Sequence, residues 1–199
     1  MKRGFLLILI FWLCISVQGQ ITRSIWGLTL AESTAKDVRE ALIERGYSSK
    51  INESTNSTGH FISVDAYPIR FGGNDWSQVS FNIRNGRLHY VAFSYKSASS
   101  ALATAKKLYN PLYNRYSSYL LAEYPWKTKN VIDLGTAYGP RKLIYSKDLA
   151  VCFRDGRTQI QLTHGSKTDV RGNRKEIEYE VSLIYSDSHL GAAGSESDL

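Results

Sequence analysis

The chain has 199 residues, a formal net charge of +7 and two cysteines. A chain of this length forms one ordinary domain that buries roughly two-thirds of its extended surface, so it needs no covalent staple. Removal of an N-terminal segment containing Cys14 would leave only Cys152, which excludes an internal disulfide and a disulfide-rich scaffold.

An export signal is predicted at residues 1–19. Lys2 and Arg3 form a basic region, an unbroken apolar run extends from Phe5 to Ile15, and a cleavage site follows Gly19. The apolar run is shorter than the roughly 20 residues that a membrane-spanning helix needs. We therefore expect a periplasmic or secreted protein without a transmembrane span, whose net charge falls from +7 to +5 when Lys2 and Arg3 are removed.

A short amphipathic helix is predicted after Thr34. Thr34 and Asp37 have the spacing of a capping box, Val38 and Leu42 belong to an apolar face, and Gly46 is expected to end the helix in a left-handed conformation. The polar stretch over 47–57 predicts a turn. Residues 60–66 alternate as a strand, which Pro68 would end or confine to a sheet edge.

The strongest local signal is a hairpin around Asn85-Gly86, a dipeptide typical of tight β-turns. Two apolar trios flank it: Val79, Phe81 and Ile83, then Val91, Phe93 and Tyr95. A two-residue turn would place the trios on opposite faces, whereas a three-residue loop with a bulge places them on one face. We therefore predict the second register, which pairs Ile83 with Arg87 and Val79 with Val91.

Residues 97–121 repeat apolar side chains at helical spacing and predict a long helix packed against this hairpin. Pro111 lies inside the pattern, lacks an amide donor and clashes with the preceding turn. We therefore expect a kink or split near Tyr109 and Asn110.

The C-terminal part predicts a second hairpin at Asp155-Gly156, between strands at 149–153 and 159–163. A loop is predicted over His164–Asn173. The clearest strand of the chain follows, with one apolar face formed by Ile177, Tyr179, Val181, Leu183 and Tyr185. The small, polar and acidic residues 187–199 predict a flexible tail.

Together these elements predict an α+β fold, in which antiparallel meanders pack against two helices in one domain spanning residues 20–186. The segment Ile83-Arg-Asn-Gly-Arg87 is echoed 70 residues later by Phe153-Arg-Asp-Gly-Arg157. The echo has two interpretations, which are a diverged duplication of helix-then-strands halves and the shared chemistry of tight turns.

Charge is distributed unevenly along the chain. Between Lys127 and Lys175 there are 11 basic and 4 acidic residues, whereas the segment from Glu176 onward has 6 acidic residues and no Lys or Arg. We favour the interpretation that the two segments neutralise each other within the fold. The alternative is a basic loop that binds an anionic glycan or lipid headgroup, with Lys167, Arg171 and Arg174 as candidate ligand-binding residues.

Reactive side chains do not form a recognisable catalytic or metal-binding motif. Glu176, Glu178 and Glu180 could bind a hard cation or act as acid and base, but their strand spacing is typical of a solvated face opposite Lys and Arg. Cys152 has no histidine or basic cluster near it in sequence and is expected to be an inert thiol. We expect no metal and no cofactor, because no ligand-like pair occurs among His60, His89, His164 and His189.

One resemblance to known proteins concerns the helical entry Gly27-Leu-Thr-Leu-Ala-Glu-Ser-Thr-Ala-Lys-Asp-Val-Arg-Glu-Ala-Leu, followed by Gly46 and a meander. It resembles small bacterial envelope proteins with the β-lactamase-inhibitor-like architecture, including outer-membrane assembly lipoproteins of the SmpA/OmlA type. The whole layout is similar to exported, uncharacterised α+β proteins of Gram-negative envelopes. The resemblance implies an envelope location and transfers no functional residue. Bulky Trp12 and Leu13 before Cys14 depart from the lipobox, so we expect no lipid anchor.

We therefore predict an exported, non-enzymatic protein that binds a protein or an envelope component and does not bind nucleic acid. One alternative is a protein that binds an anionic glycan or lipid through the basic region 127–175. A further alternative is a carbohydrate-active or thiol enzyme, which would require Cys152, a histidine and a carboxylate to converge on one pocket.

Overall fold

The computed structural model describes residues 20–99, 102–124, 128–133 and 141–192. The predicted signal peptide and residues 193–199 of the predicted tail lie outside this part. The α-helices within it are α1 (Ala35–Glu44), α2 (Leu102–Tyr116) and α3 (Ser188–Ala192). The strands are β1 (Ser24–Ile25), β2 (Leu28–Thr29), β3 (Ile51–Asn56), β4 (Gly59–Phe71), β5 (Asn74–Arg84), β6 (Arg87–Ser97), β7 (Leu120–Tyr124), β8 (Thr128–Asp133), β9 (Arg141–Arg154), β10 (Thr158–Arg171) and β11 (Arg174–Asp187).

Nine of these strands form one antiparallel sheet with the order β3-β4-β5-β6-β11-β10-β9-β7, and β8 pairs with β9 as well. Strands β3 to β6 form one meander and β9 to β11 form another. The last strands of the two meanders, β6 and β11, pair with each other and join the meanders into a single sheet. The described chain is thus mostly antiparallel sheet with few helices, which agrees with the predicted α+β class.

Two rows of paired apolar side chains cross six strands of the sheet and form its inner face. One row consists of Val64, Val79, Phe93, Leu183, Leu162 and Val151. The neighbouring row consists of Ile62, Phe81, Val91, Tyr185, Ile160 and Phe153. Every member of both rows is buried. Burial of one such side chain contributes ~1.5–3 kcal/mol, so these rows are a main source of stability.

The two longer helices contribute to the same core. α1 buries Val38, Ala41 and Leu42, and α2 buries Ala105, Leu108 and Tyr116. All six side chains belong to one apolar cluster together with the two inner rows of the sheet. The cluster also includes residues of the N-terminal segment, among them Ile21, Ile25, Leu28 and Leu30.

The predicted capping of α1 is confirmed. The Asp37 amide donates to the Thr34 hydroxyl oxygen at 3.4 Å, and the Thr34 amide donates to the Asp37 carboxylate at 2.7 Å. The Thr34 hydroxyl also donates to the Asp37 carboxylate at 3.0 Å. The hydrogen bonds that the carboxylate accepts from the Thr34 amide and hydroxyl hold the pKa of Asp37 below its ordinary value. Gly46 follows the helix with a φ of +80°, a left-handed conformation that glycine adopts without strain.

The turn of the central hairpin differs from the predicted three-residue loop. Asn85 and Gly86 both have positive φ, 53° and 74°, and form a two-residue turn. Ile83 therefore pairs with Leu88, and the predicted pairing of Ile83 with Arg87 is wrong. Asn and Gly tolerate the positive φ that this turn requires, and the twist of the turn matches that of the flanking strands.

A bulge at His89 then shifts the register of the same hairpin. Val79 pairs with Phe93 instead of the predicted Val91. The extra residue in β6 moves the following side chains to the opposite face. Both apolar trios consequently face the core, as predicted. The bulge that brings them to one face lies within β6 and not at the turn.

Two segments predicted as a turn and a loop are strands. β3 lies within the predicted turn at 47–57, and β10 continues through most of the predicted loop His164–Asn173, leaving Gly172 and Asn173 as the turn. Their polar composition gives little strand signal, because these ends of the sheet lie outside the apolar rows. Backbone pairing with β4, β9 and β11 forms the strands.

The predicted long helix is shorter than expected and is not split. Ser97 still belongs to β6, while α2 starts at Leu102 and ends at Tyr116. Pro111 lies within α2, which continues through it. Leu108 and Tyr116, on either side of the proline, are both buried in the core, so packing stabilises the helix across this position.

The first residues of the predicted tail belong to the fold. β11 ends at Asp187 and α3 follows directly. The Asp187 carboxylate is fully buried, and it accepts hydrogen bonds from Arg23 at 2.8 Å and Arg157 at 3.2 Å. The amides of His189 and Leu190 also donate to it, each at 3.0 Å. Burial by itself would raise the pKa of Asp187, but the Arg23 guanidinium and these amides lower it below its ordinary value.

Hydrogen bonds around Asp187 also connect the N-terminal segment with the C-terminal half of the chain. Arg23 also donates to the Leu30 carbonyl at 2.6 Å and to the Thr158 hydroxyl at 3.1 Å. The Ile21 amide donates to the Asp155 carboxylate at 2.9 Å. Asp187 is therefore the point at which β1, the β9–β10 turn and the end of β11 are held together.

We expect Asp187→Asn to lower the free energy of unfolding by about 3 kcal/mol, because it leaves the partly buried Arg23 without its carboxylate. Urea denaturation at pH 7 measures this change. Since the folded pKa of Asp187 is lowered, its stabilisation is present above the ordinary value of 3.8 and is lost as the pH falls through the folded pKa. The variant should therefore show a weaker acid dependence of stability.

Asp75→Asn is the matched control, because Asp75 forms an exposed cross-strand pair with Arg70 at 3.6 Å. Its effect should stay below about 1 kcal/mol. Equal effects of the two substitutions would contradict the role assigned to Asp187.

Candidate functional site: the open face of the sheet

The face of the sheet opposite the core carries mainly small and polar side chains. One row across it consists of Ser63, Ser80, Ala92, Ile184, Gln161 and Cys152, and the next consists of Asp65, Gln78, Ser94, Ser182 and Thr163. Most of these side chains keep partial contact with solvent. The buried residues of α1 and α2 join the inner cluster, so we call this second surface the open face.

Two adjacent cavities of about 310 and 380 Å³ lie toward one end of the open face. Gly165 lines the first, and the pairing of β9 with β10 is interrupted by a bulge at this glycine. The missing side chain and the bulge leave a depression between the strands. The cavity volumes lie near the lower end of those typical of binding sites. We define the charged groove by residues that line these cavities: Lys96, Tyr145, Lys167, Glu178 and Glu180.

Charges in the groove are arranged in opposed pairs. Lys167 lies directly opposite Glu178, and Lys96 lies directly opposite Glu180. Directly opposed residues on neighbouring strands have Cβ atoms only ~4.5–5.5 Å apart, so each pair is locally neutral. This agrees with the interpretation that the acidic C-terminal strand neutralises basic residues within the fold.

The predicted ligand-binding residues Lys167, Arg171 and Arg174 do not form a loop. Arg171 and Arg174 face each other across the β10–β11 turn. Lys167 precedes Arg171 by four strand positions, or ~13 Å along β10, and belongs to the charged groove. The predicted site is therefore divided between the groove and the hairpin end.

A second basic group lies at the ends of β9, β10 and β11. We call it the basic tip and define it by Arg141, Lys142, Arg171, Arg174 and Lys175. Asp169 accepts hydrogen bonds there from Arg141 and Arg171, each with a shortest distance of 2.8 Å. The two guanidinium groups hold the pKa of Asp169 well below its usual range, so it is ionised and fixes both arginines.

Each of the four histidines contacts a different partner. His60 Nε2 lies 2.7 Å from the carboxylate of Glu53, and His189 Nε2 lies 3.1 Å from the Gly156 carbonyl. His164 is buried and stacks against a tyrosine ring, whereas His89 Nδ1 lies 3.1 Å from the Asn82 side-chain oxygen. Burial lowers the pKa of His89, which favours its neutral form.

Glu53 is the partner that connects α1 with β3 and β4. It accepts hydrogen bonds from Arg39 at 2.6 and 2.8 Å. The hydrogen bond from Arg39, with a smaller contribution from His60, lowers the pKa of Glu53 to about 2. This cluster thus has the features of a structural ion pair, and the described ranges contain no group of His, Cys, Asp and Glu suited to hold a metal ion.

Cys152 lies on the open face, where its cross-strand neighbour is Gln161. It is only 8% exposed. Burial raises the pKa of the thiol, although Arg154 and Gln161 oppose this effect. A protonated, buried thiol is a weak nucleophile. The arrangement gives no support to the thiol-enzyme alternative.

Sequence reasoning missed Lys96 and Tyr145 as members of the groove. Both reach it through long-range pairing, in which Lys96 lies opposite Glu180 and Tyr145 lies opposite Lys167. The only sequence signal for Lys96 was the alternation of side chains along β6. Because Tyr95 faces the core, the next residue, Lys96, faces the opposite side of the sheet. Nothing local indicates which strands become neighbours.

Comparisons with known proteins add no assignment to this geometry: no family model matches the chain, and neither a curated protein nor a solved structure matches it. The resemblance to SmpA/OmlA-type envelope proteins therefore stays a prediction. In the part of the chain that the structure describes, no helix combines the length and apolar character needed to cross a bilayer.

We expect Cys152 in the folded protein to react with iodoacetamide much more slowly than free cysteine at pH 7.5, because burial raises its pKa and restricts access. Mass spectrometry over a time course measures the rate. Unfolding in urea should restore the rate of free cysteine. A rate in the native protein equal to or above that of free cysteine would contradict an inert thiol.

Proposed function

We propose that the protein is an exported, non-enzymatic binding protein that recognises a polypeptide of the cell envelope through the charged groove. The observation that supports this function is that the two faces of the sheet carry different kinds of side chain. One face forms the core, while the open face carries charges of opposite sign on neighbouring strands and, among the described residues, no cluster of His, Cys, Asp and Glu suited to hold a metal ion. Such a surface suits recognition better than covalent chemistry.

The charge pattern favours a polypeptide partner. Lys167 and Glu178 alternate in sign with Lys96 and Glu180 across three neighbouring strands. A mixed pattern of this kind complements a partner with charges of both signs, and it contributes orientation and specificity. Tyr145, 38% exposed at the same site, provides an aromatic contact of the type enriched in protein interfaces. The hydroxyls of Ser182 and Thr163 add hydrogen-bonding groups.

The double substitution Lys167→Glu with Glu178→Lys tests the groove while keeping opposite charges at these two cross-strand positions. The exchange keeps net charge and cross-strand pairing, so the melting temperature should change little. It inverts the pattern seen by a partner, so we expect about tenfold lower recovery of the specific envelope protein. Affinity purification from solubilised envelopes of the native organism, quantified by mass spectrometry, measures this recovery.

The matched control exchanges Arg70 and Asp75, an exposed cross-strand pair outside the groove. It should retain the wild-type set of partners. Recovery of the same proteins in the same amounts by both double variants, or no specific recovery by the wild type, would refute the groove as a protein-binding site.

The basic tip supports a second candidate function, the binding of an anionic glycan or lipid headgroup. Cross-strand pairing gathers five cations there, and Asp169 binds Arg141 and Arg171. Arg174 and Lys175 are exposed on the adjoining strand. Such a group would attract anions in a salt-dependent manner.

We expect Arg174→Glu with Lys175→Glu to elute from heparin resin at lower salt than the wild type, because the basic tip loses two exposed cations. Lys50→Glu with Lys106→Glu is the control, since it changes net charge equally at exposed positions elsewhere. A salt gradient on the resin measures both. Elution of the two double variants at the same salt concentration would show that net charge alone determines retention, and it would contradict an anion-binding site at the basic tip.

We also propose that the two halves arose by duplication. In each half a helix precedes a meander, and the two meanders meet symmetrically at their last strands. Under this symmetry the Arg84–Arg87 turn corresponds to the Arg171–Arg174 turn, and both are two-residue turns flanked by arginine. The echo noted at Phe153–Arg157 lies one hairpin earlier and therefore reflects turn chemistry.

A further inference from the structure

Another cavity of about 380 Å³ lies between α2, the β4–β5 turn and β11. Its apolar wall includes Phe71, Leu108, Pro111, Leu112 and Leu183. The volume is within the range of sites that bind small molecules. The cavity involves the core side of the sheet, so it is separate from the charged groove.

Two cations and two phenols line the same cavity: Lys107, Arg115, Tyr116 and Tyr185. Lys107 and Arg115 are exposed, and the Arg115 guanidinium lies 5.3 Å from the centre of the Tyr116 ring. No acidic residue occurs among the described residues that line the cavity. Its electrostatic character is therefore positive at the rim.

The two tyrosines are buried, with 3% of Tyr116 and 6% of Tyr185 exposed. Within the described ranges neither hydroxyl has a hydrogen-bond partner, and neither is fully enclosed. The hydroxyls of side chains so deeply buried therefore retain solvent contact through the cavity that they line. Burial raises the pKa of Tyr185, so its phenol stays protonated and able to donate.

We infer that this cavity binds an amphipathic monocarboxylate, such as a medium-chain fatty acid. The apolar tail would pack against Leu108, Leu112 and Phe71. The carboxylate would accept hydrogen bonds from the tyrosine hydroxyls, while Lys107 and Arg115 neutralise its charge. A purely apolar ligand fits less well, because it would leave two buried donors unpaired at a cost of ~1–3 kcal/mol each.

Octanoate is the probe, and octan-1-ol is its uncharged counterpart. Isothermal titration calorimetry should give saturable binding of octanoate to the purified protein, with at least about tenfold weaker binding of octan-1-ol. Tyr185→Phe should weaken octanoate binding about tenfold. The same substitution should leave the melting temperature unchanged or raise it, because it removes a hydroxyl that has no partner among the described residues.

The adjacent lysines on α2 provide a matched pair of variants. Lys107→Gln should weaken octanoate binding severalfold, whereas Lys106→Gln, equally exposed but outside the cavity lining, should not change it. The Lys167→Glu, Glu178→Lys variant of the groove should bind octanoate normally, which separates this site from the proposed protein-binding function. Absence of saturable binding, or equal affinities of the Tyr185→Phe, Lys107→Gln and Lys106→Gln variants, would overturn the inference.

Discussion

The pairing of β6 with β11 is the interaction on which the rest of the structure depends. It places Phe93 beside Leu183 and Val91 beside Tyr185, and these contacts make the apolar rows of the two meanders continuous. Without this pairing each meander would expose both an unpaired edge and half of an apolar face, an arrangement that favours aggregation. The loop-closure cost of joining strands so distant in sequence is offset by burial along the whole width of the sheet.

Joining the meanders also determines what the opposite face can present. Because successive side chains point to opposite faces, the pairing that buries Leu183 next to Phe93 places Ser182 next to Ser94 and Glu180 next to Lys96. The Ser94 and Ser182 hydroxyls lie 2.9 Å apart, so this part of the open face is held by its own hydrogen bond. The charged groove is therefore a direct consequence of core register and not a separate structural addition.

Local chemistry predicted the elements that have a short-range cause. The Thr34–Asp37 capping box, the position of the hairpin at Asn85-Gly86 and the alternation around Val181 were all recognisable, and they correspond to α1, the central hairpin and β11. The bulge at His89 was not recognisable, because packing of the core determines the strand register there and no local sequence motif marks the bulge. The pairing of Lys96 with Glu180 and the cavity under α2 depend on contacts between distant segments. Composition and periodicity do not predict such long-range contacts, so the sequence identified the site residues only in part.

The two faces differ in how their polar groups relate to stability, and this difference bears on function. Opposed charges at exposed positions such as Lys167 and Glu178 contribute little to stability, so selection for folding alone gives little reason for their ordered signs. The phenols of Tyr116 and Tyr185 present a different case, because their hydroxyls have no hydrogen-bond partner among the described residues and keep solvent contact through the cavity. Phenylalanine would fill nearly the same volume, so packing of the core does not require the two hydroxyls. Polar groups that stability does not require, placed where a groove and a cavity lie, are the features that a binding protein would retain.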